Sequence, residues 1–236
     1  MVNLFYDLHI HSALSPCGHE DMTPANIVLM AKLKGLQVIA LTDHNSAKNC
    51  PAFLYHAQRE GIIGIPGMEL CTSEEVHVLC LFYTLEDAMQ FDEYVTAHMI
   101  AFPNREEIFG AQSIMDCEDN IVGKVANLLI NATTISFDDV YDLMKEFHGV
   151  MIPAHIDKGS NSVISNLGFI PPDSKFHIIE LSKDYKGNPF IEKDSYAMSC
   201  KRIINSDAHY LEHIKEAIEF LSCEEESIRG VLNKLR

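Results

Sequence analysis

Apolar residues are arranged along the chain in two patterns. Some form short continuous runs, and others recur every three or four residues. The runs predict buried strands, and the wider spacing predicts amphipathic helices. The predicted strands cover residues 4–10, 37–41, 62–70, 76–83, 150–154, 176–181 and 202–205. The predicted helices cover residues 24–35, 52–59, 85–99 and 136–149, with a closing helix around residues 231–235. Alternating strands and helices favour an α/β fold with a parallel sheet.

Residues 101–134 interrupt this alternation, because they contain a Phe-Pro-Asn turn, two glycines and only short mixed segments. We interpret them as a small insertion or cap, with a hairpin around residues 117–122. The whole chain, residues 1–236, is long enough for one large domain with such an insertion.

Two histidines follow each other closely at the end of the first predicted strand. Side chains on a strand alternate between its faces, so His9 and His11 point the same way. Two imidazoles aimed at one point suit a borderline divalent metal. The pair alone is equally compatible with two buried histidines that are hydrogen-bonded to the backbone.

Other predicted strands also end in side chains that can bind a metal. These are Asp43, His44, Glu69, His155, Asp207 and His209. In parallel α/β folds the carboxyl ends of the strands converge on the site, and buried ionisable groups are costly unless they are paired or metal-bound. The repetition therefore predicts a metal centre. His77 is the exception, because it lies near the start of its strand.

Composition narrows the possible ligands and the compartment. The formal charge is −16, from 34 acidic and 18 basic residues, and no basic stripe is present, so extended nucleic acid is not an expected partner. The seven cysteines are scattered and never in Cys-x-x-Cys spacing, which favours reduced thiols in the cytoplasm. No apolar run could span a bilayer and no signal-peptide pattern is visible, so no membrane association is expected.

Several of these segments resemble the motifs of the PHP (polymerase and histidinol phosphatase) family. They are DLHIHS at residues 7–12, TDH at 42–44, GME at 67–69, EVH at 75–77, the isolated His155, and SDAH at 206–209. Their order and spacing match over most of the chain. The resemblance implies a distorted (β/α)7 barrel that holds three divalent metal ions at its carboxyl-terminal mouth.

The resemblance also implies a ligand set for each of the three metals. One metal would be bound by His9, His11, Glu69 and Asp207. A second would share Glu69 and add His77 and His155. The third would be bound by His44, His209 and a residue of the loop after the first motif. The family commonly has an aspartate in that loop, and this sequence does not. His19 fits best, Glu20 and Asp21 are close enough to compete, and Cys17 fits least well.

Two further carboxylates complete the candidate site. We expect Asp7 and Asp43 to accept the free ring N–H of ligating histidines and so fix their tautomers; with Glu69 they form the candidate catalytic set. For Asp7, a solvated carboxylate at a strand end is the alternative. The remaining histidines are expected to be surface or packed residues: His56, His98, His148, His177 and His213.

The function that the resemblance implies is a metal-dependent phosphoesterase using zinc, manganese or iron. A pocket made positive by its metals favours a small phosphomonoester attacked by a metal-activated hydroxide. A 5′-end exonuclease, an amidohydrolase-type enzyme and a regulatory metal-binding domain are the alternatives. Lys158, Arg105 and Lys124 are the few cations that could contact the distal part of a substrate. Substrate identity and oligomeric state are not predicted.

Overall fold

The structure, a computed structural model, describes residues 1–236 and contains ten strands and eight helices. The strands are β1 (Val2–Ile10), β2 (Val38–Leu41), β3 (Ile63–Cys71), β4 (His77–Phe82), β5 (Ser113–Met115), β6 (Ile121–Lys124), β7 (Gly149–Pro153), β8 (Ile178–Ser182), β9 (Lys201–Asn205) and β10 (Phe220–Cys223). The helices are α1 (Pro24–Leu33), α2 (Cys50–Glu60), α3 (Leu85–His98), α4 (Glu106–Phe109), α5 (Phe137–Glu146), α6 (Val163–Leu167), α7 (Ser195–Ser199) and α8 (Ile228–Leu235).

The main sheet has the strand order β10-β1-β2-β3-β4-β7, and β8 and β9 form a separate parallel pair. β8 lies beside β7, and β9 lies beside β1, so the pair almost closes the curled sheet into a barrel. A single bridge between Ile10 and Ala208 links the two parts. The predicted α/β fold and distorted barrel are confirmed. The count of seven βα units remains a prediction, because the ladder is interrupted between β7 and β8.

The sheet is not wholly parallel, which corrects the sequence prediction. β4 runs antiparallel to both β3 and β7. Only residues 72–76 separate β3 from β4, too few for the crossover that a parallel pair requires. The reversal explains the exceptional position of His77. Because β4 is antiparallel, its first residue pairs with Cys71 at the end of β3, and His77 lies at the same edge of the sheet as the other candidate ligands.

Two apolar clusters stabilise the fold on opposite faces of the curled sheet. The inner cluster contains Leu4, Tyr6 and Leu8 of β1 and is covered by apolar residues of α8. The outer cluster packs the helices against the sheet and contains Ile10. Regular alternation would place Leu8 and Ile10 on one face. The pairing register of β1 with β2 shifts between Asp7 and Ile10, and this bulge places them on opposite faces.

Residues 101–134 contain the short helix α4 and the β5–β6 hairpin. The predicted hairpin is present, but its turn spans residues 116–120 because Asp116 accepts hydrogen bonds from the backbone N–H groups of Glu118 and Asn120. Gln112 fixes the segment internally, since its side chain bonds the backbone of residues 125, 127 and 129. The side chain of Asn49 joins β5 to Ser12. The segment is thus attached firmly to the loop after β1; its role as an insertion or cap remains a prediction.

All seven cysteines are unpaired. No helix has both the length and the apolar character needed to cross a membrane.

Candidate metal centre

Most of the predicted ligands lie together at the edge where β1, β2 and β3 end and β4 begins. Their ligand atoms form three overlapping groups, within which every atom lies within 4.8 Å of the others. The groups are His9, His11, Glu69 and Asp207; His44, Glu69 and His77; and His11, His44 and His209. His155 lies beside them, with Nε2 at 3.1 Å from Oε1 of Glu69.

The Glu69 carboxylate is at the centre of this arrangement. It is fully buried, and five imidazoles face its two oxygens. Oε1 lies near His77, His155 and His9, at 2.9, 3.1 and 3.2 Å, and Oε2 lies near His44 and His11, at 3.0 and 3.4 Å. Burial would raise the pKa of Glu69, but the surrounding imidazoles hold it well below its ordinary value. Glu69 is therefore an ionised carboxylate shared by several histidines.

The β1 bulge turns His9 and His11 toward the inner face of the sheet, and regular alternation between the two residues brings them to one point. Their Nε2 atoms lie 3.1 Å apart, as the strand alternation predicted. Asp207 faces the same pair, with Oδ1 at 3.3 Å from Nε2 of His9 and 3.2 Å from Nε2 of His11. The backbone of Asp207 has φ +51° and that of His155 has φ +30°. Such left-handed conformations of non-glycine residues are concentrated at functional sites.

Three of the histidines have their tautomer set by a hydrogen bond at Nδ1. Nδ1 of His9 donates to Glu180, Nδ1 of His11 donates to Oγ of Ser15, and Nδ1 of His209 donates to the backbone oxygen of Asp207. In each ring the Nε2 atom consequently carries a lone pair directed at the cluster. A neutral imidazole with a free nitrogen is the form that binds a divalent metal.

The histidines around Glu69 have pKa values shifted in opposite directions. Burial lowers the pKa of His44, and the neighbouring His11 lowers it further, to about 4. Burial also opposes protonation of His77, yet Glu69 raises the pKa of His77 to about 10. Nδ1 of His44 and Oε2 of Glu69 are buried without a hydrogen-bond partner of good geometry. Divalent cations would satisfy these atoms, and imidazole with carboxylate is a donor set that zinc, iron and manganese accept.

Glu180 is a site residue that the sequence analysis missed. It lies on β8, and three donors converge on its carboxylate. Nδ1 of His9 lies 3.0 Å from Oε1, the N–H of His155 donates to Oε2 at 2.8 Å, and the amide of Asn205 donates to Oε1 at 2.8 Å. The available signal was a lone acidic residue inside the apolar run IIELS. A charge in a buried strand requires a partner.

The predicted direct contacts of Asp7 and Asp43 with ligating histidines are wrong. Asp43 accepts hydrogen bonds from the N–H of Ser12 and the Oγ of Ser15, both at 2.7 Å, and affects His11 only through Ser15. Asp7 accepts from the backbone of Ser206 and Lys215 instead. The β1 bulge is the reason, because it turns Asp7 to the outer face while His9 and His11 face inward.

His19 lies outside all three groups. Its side chain is 43% exposed, its Nδ1 accepts from the N–H of Asp21, and its ring packs near Tyr210. Its backbone N–H nevertheless donates to the oxygen of His209 at 3.0 Å, so the loop passes beside the candidate third metal site. Glu20 and Asp21 are also exposed. None of the five remaining histidines belongs to a ligand group: His56, His98, His148, His177 and His213.

Two cavities are lined by residues of this region. A pocket of about 150 Å³ lies over the candidate ligands and is also lined by Lys158, Ser160 and Asn161. A groove of about 730 Å³ lies between residues 16–23 and the β5–β6 hairpin, and Tyr210, next to His209, lines it. Of the cations considered from sequence, Lys158 lines the pocket and Lys124 lines the groove, whereas Arg105 lines neither.

A close contact holds the two walls of the groove together. Gly110 has φ +96°, and a Cβ atom there would lie 2.2 Å from the backbone oxygen of Pro16. Only glycine fits this conformation and this approach. The segment just before the hairpin therefore packs directly against the loop after β1.

Comparison with known proteins gives a family and a set of related folds. A family model described as the PHP domain matches residues 7–215. No curated protein matches the chain. Among solved structures, the lesion-specific endonuclease Q from Pyrococcus furiosus is similar, with a TM-score of 0.72 and 19% identity over 99% of this chain and 56% of that chain. A complex of endonuclease Q with a 27-mer duplex carrying an abasic lesion has a TM-score of 0.70 and 19% identity, over 98% of this chain and 56% of that chain.

Two shorter proteins match over nearly their whole length. A protein from Bifidobacterium adolescentis, assigned as a metal-dependent phosphoesterase, has a TM-score of 0.63 and 16% identity over 97% of this chain and 96% of that chain. An amidohydrolase from Chromobacterium violaceum with bound sulfate and no metal has a TM-score of 0.59 and 18% identity, over 98% of this chain and 95% of that chain. The chain spans about half the length of the endonuclease Q chains. At these identities the likeness establishes the fold.

The sequence prediction that excluded extended nucleic acid conflicts with these comparisons, since one similar structure holds duplex DNA. We withdraw the exclusion. A net charge of −16 describes the molecule as a whole, whereas nucleic acid binds to local surface.

Proposed function

The chain belongs to the PHP family, and from that membership we propose that it is a metal-dependent phosphoesterase that hydrolyses a small phosphomonoester at a centre of three divalent ions. The observation that carries the proposal is the buried Glu69 carboxylate with five imidazoles around it. A single carboxylate between two histidine sets suits a ligand that bridges two metals.

The proposed ligands follow the groups of atoms at the site. His9, His11, Glu69 and Asp207 would bind one metal, and Glu69, His77 and His155 a second. His44 and His209 would bind the third. For that metal we propose His19 as the further ligand, since its backbone already contacts His209. Its side chain would have to rotate toward the cluster. Zinc, manganese and iron all accept this set of donors.

Charge identifies the class of substrate that the pocket favours. Three divalent ions bring six positive charges and the carboxylates of Glu69 and Asp207 remove two, which leaves about +4 in the pocket. When bound, the metals would supply a hydroxide nucleophile and stabilise the negative charge on the phosphoryl oxygens. The residues of the chain orient the centre. Ser15 holds the ring of His11, and Glu180 holds the ring of His9.

The size and charge of the groove favour a small substrate with one charged end. One of its lining residues, Tyr210, follows His209 of the pocket in sequence, and the groove is large enough for a sugar- or nucleoside-sized group. Three acidic residues line it, Glu20, Asp21 and Asp119, against one cation, Lys124, which is already paired with Glu106. A second phosphate would meet repulsion there, whereas a neutral group would not.

Cleavage of nucleic acid is a second candidate function. The observation that favours it is the fold likeness to endonuclease Q, including the complex with duplex DNA at its active site. That chain is much longer, and this one corresponds to about half of it.

Metal analysis of the purified protein, combined with substrate panels, tests the proposal. We expect more than one equivalent of zinc, manganese or iron and release of phosphate from at least one small phosphomonoester. Amide substrates, carboxylic ester substrates and an abasic-site duplex are tested in parallel with the phosphomonoesters. Protein that is fully metal-loaded, yet cleaves only a C–N bond, a carboxylic ester or only DNA, would contradict the proposal.

A further inference from the structure

Lys158 lies in a loop that the structure holds firmly beside the metal centre. Its backbone N–H donates to the oxygen of His155 at 2.9 Å, and its backbone oxygen accepts from Oγ of Ser162 at 2.8 Å. The preceding residue, Asp157, accepts from the N–H of Ser182 at 2.8 Å. The loop is thus fixed on both sides of Lys158, which directs the side chain toward the pocket.

The Lys158 ammonium contacts Oδ2 of Asp207, and it is the only Lys or Arg group that lines the pocket over the candidate ligands. The other oxygen of the same carboxylate, Oδ1, faces Nε2 of His9 and of His11. The two oxygens therefore have separate partners. A metal bound at Oδ1 would leave the contact between Oδ2 and Lys158 in place.

We propose that Lys158 is a catalytic residue that donates a hydrogen bond to a phosphate oxygen of the substrate which the metals leave free; this inference rests on the proposed phosphoesterase function. An ammonium has three N–H groups, and Asp207 occupies one. The side chain is 40% exposed, so the other two can reach a ligand in the pocket. Lysine is a common partner of phosphate, as a compact charge.

A role limited to orienting Asp207 is the competing explanation, and the two roles differ in what they do to metal content. If Lys158 only orients Asp207, loss of Lys158 weakens binding of the metal that Asp207 would hold. If Lys158 contacts the substrate, its loss leaves the metals in place and weakens phosphate binding. Measurement of both quantities in one set of variants separates these roles.

The test uses full-length, metal-loaded protein and inorganic phosphate as the probe. Lys158→Ala, Lys158→Arg and a control, Lys193→Ala, are compared by metal analysis and by calorimetric titration with phosphate. Lys193 is exposed, outside the pocket and free of ion pairs, so its loss changes net charge equally. We expect unchanged metal content in all variants and a phosphate Kd about tenfold weaker in Lys158→Ala. Lys158→Arg should recover much of the lost phosphate affinity. The control, Lys193→Ala, should bind phosphate as the wild-type protein does.

An unchanged phosphate Kd in Lys158→Ala would overturn the inference, and so would a fall in metal content that matches the loss of phosphate binding. The outcome is distinct from that of the function proposal. Wild-type protein that cleaves no phosphomonoester, yet loses phosphate affinity only with Lys158, would refute the substrate and leave the role of Lys158 in anion binding intact.

Discussion

Nδ1 of His9 lies 3.0 Å from Oε1 and 3.1 Å from Oε2 of Glu180, in a fully buried contact between β1 and β8. The carboxylate stays ionised there: burial would raise the pKa of Glu180, but His9 lowers it below its ordinary value. Glu180 thus holds the proton of His9 on Nδ1 and directs the lone pair of Nε2 to the metal centre. Carboxylates in this position typically raise the affinity of a histidine for its metal.

Replacement of Glu180 by glutamine should therefore weaken metal binding by about 10- to 100-fold. Three donors converge on the Glu180 carboxylate, from His9, His155 and Asn205, and a glutamine would face one of them with its own NH₂ group. Competition with a chelator measures the metal affinity. The control is Glu192→Gln, which removes a surface carboxylate that pairs with Arg202. Equal affinities in the two variants would show that Glu180 does not orient His9.

Glu69→Gln should cost both metal occupancy and activity, because one neutral amide cannot bridge two cations. We expect loss of at least one metal equivalent and a fall in turnover on the order of 100-fold. Metal analysis and phosphate release measure the two effects. Glu93→Gln, an exposed position on α3, controls for the change in net charge. Full metal content together with full activity in Glu69→Gln would exclude the bridging role.

The loop after β1 offers three candidates for the last ligand of the third metal. We expect His19→Ala to lose close to one metal equivalent, while Glu20→Ala and Asp21→Ala keep all of theirs. The physical reason is that the backbone of His19 is anchored to His209, so that its imidazole, once rotated inward, completes a histidine-rich shell better than a solvated carboxylate. Counting metals in the three variants decides. A loss confined to Glu20→Ala or Asp21→Ala would transfer the role to that residue.

Removal of the metals should destabilise the protein, because it leaves buried groups such as Glu69 and His44 without their ligand. Ligand at about 100 times its Kd contributes roughly 2.7 kcal/mol to the free energy of unfolding. For a chain of this size that corresponds to a decrease in Tm of roughly 5–10 °C. Thermal unfolding with chelator, and again after metal is restored, measures the shift. An identical Tm in all three states would mean that metal does not couple to this fold.

The sequence was sufficient to predict which metal-binding side chains come together at the ends of strands, because strand alternation and the convergence of strand ends are general rules. His9 and His11 are the clearest case. The same rules failed where the backbone departs from regularity. The bulge in β1 reverses the face of Asp7 relative to His9, and nothing in the residues of that strand signals it.

The remaining differences depend on contacts between distant parts of the chain. Glu180 is separated from His9 by 171 residues, and an acidic residue in an apolar run does not specify its partner. The direction of β4 follows from the short connection after Cys71. The predicted strands 62–70 and 76–83 already left only five residues between them, too few for a parallel crossover. Asp43 contacts Ser12, at the end of the DLHIHS motif, and Ser15, which lies outside every motif of the family.

The positive pocket and the acidic surface around it should have opposite effects on small and large substrates. A terminal phosphate should bind the pocket strongly, at about +4 with its metals. Each further phosphate of a polymer would meet the acidic residues that line the groove, Glu20, Asp21 and Asp119, and like charges repel. We expect faster hydrolysis of a small monophosphate than of single-stranded oligonucleotides or an abasic-site duplex, with polymer binding improved by added salt. Specific activities are compared at low and moderate salt, with Glu69→Gln as the inactive control. Faster cleavage of either polymer at low salt and at equal concentration of reactive groups would refute this preference and favour the nucleic-acid function.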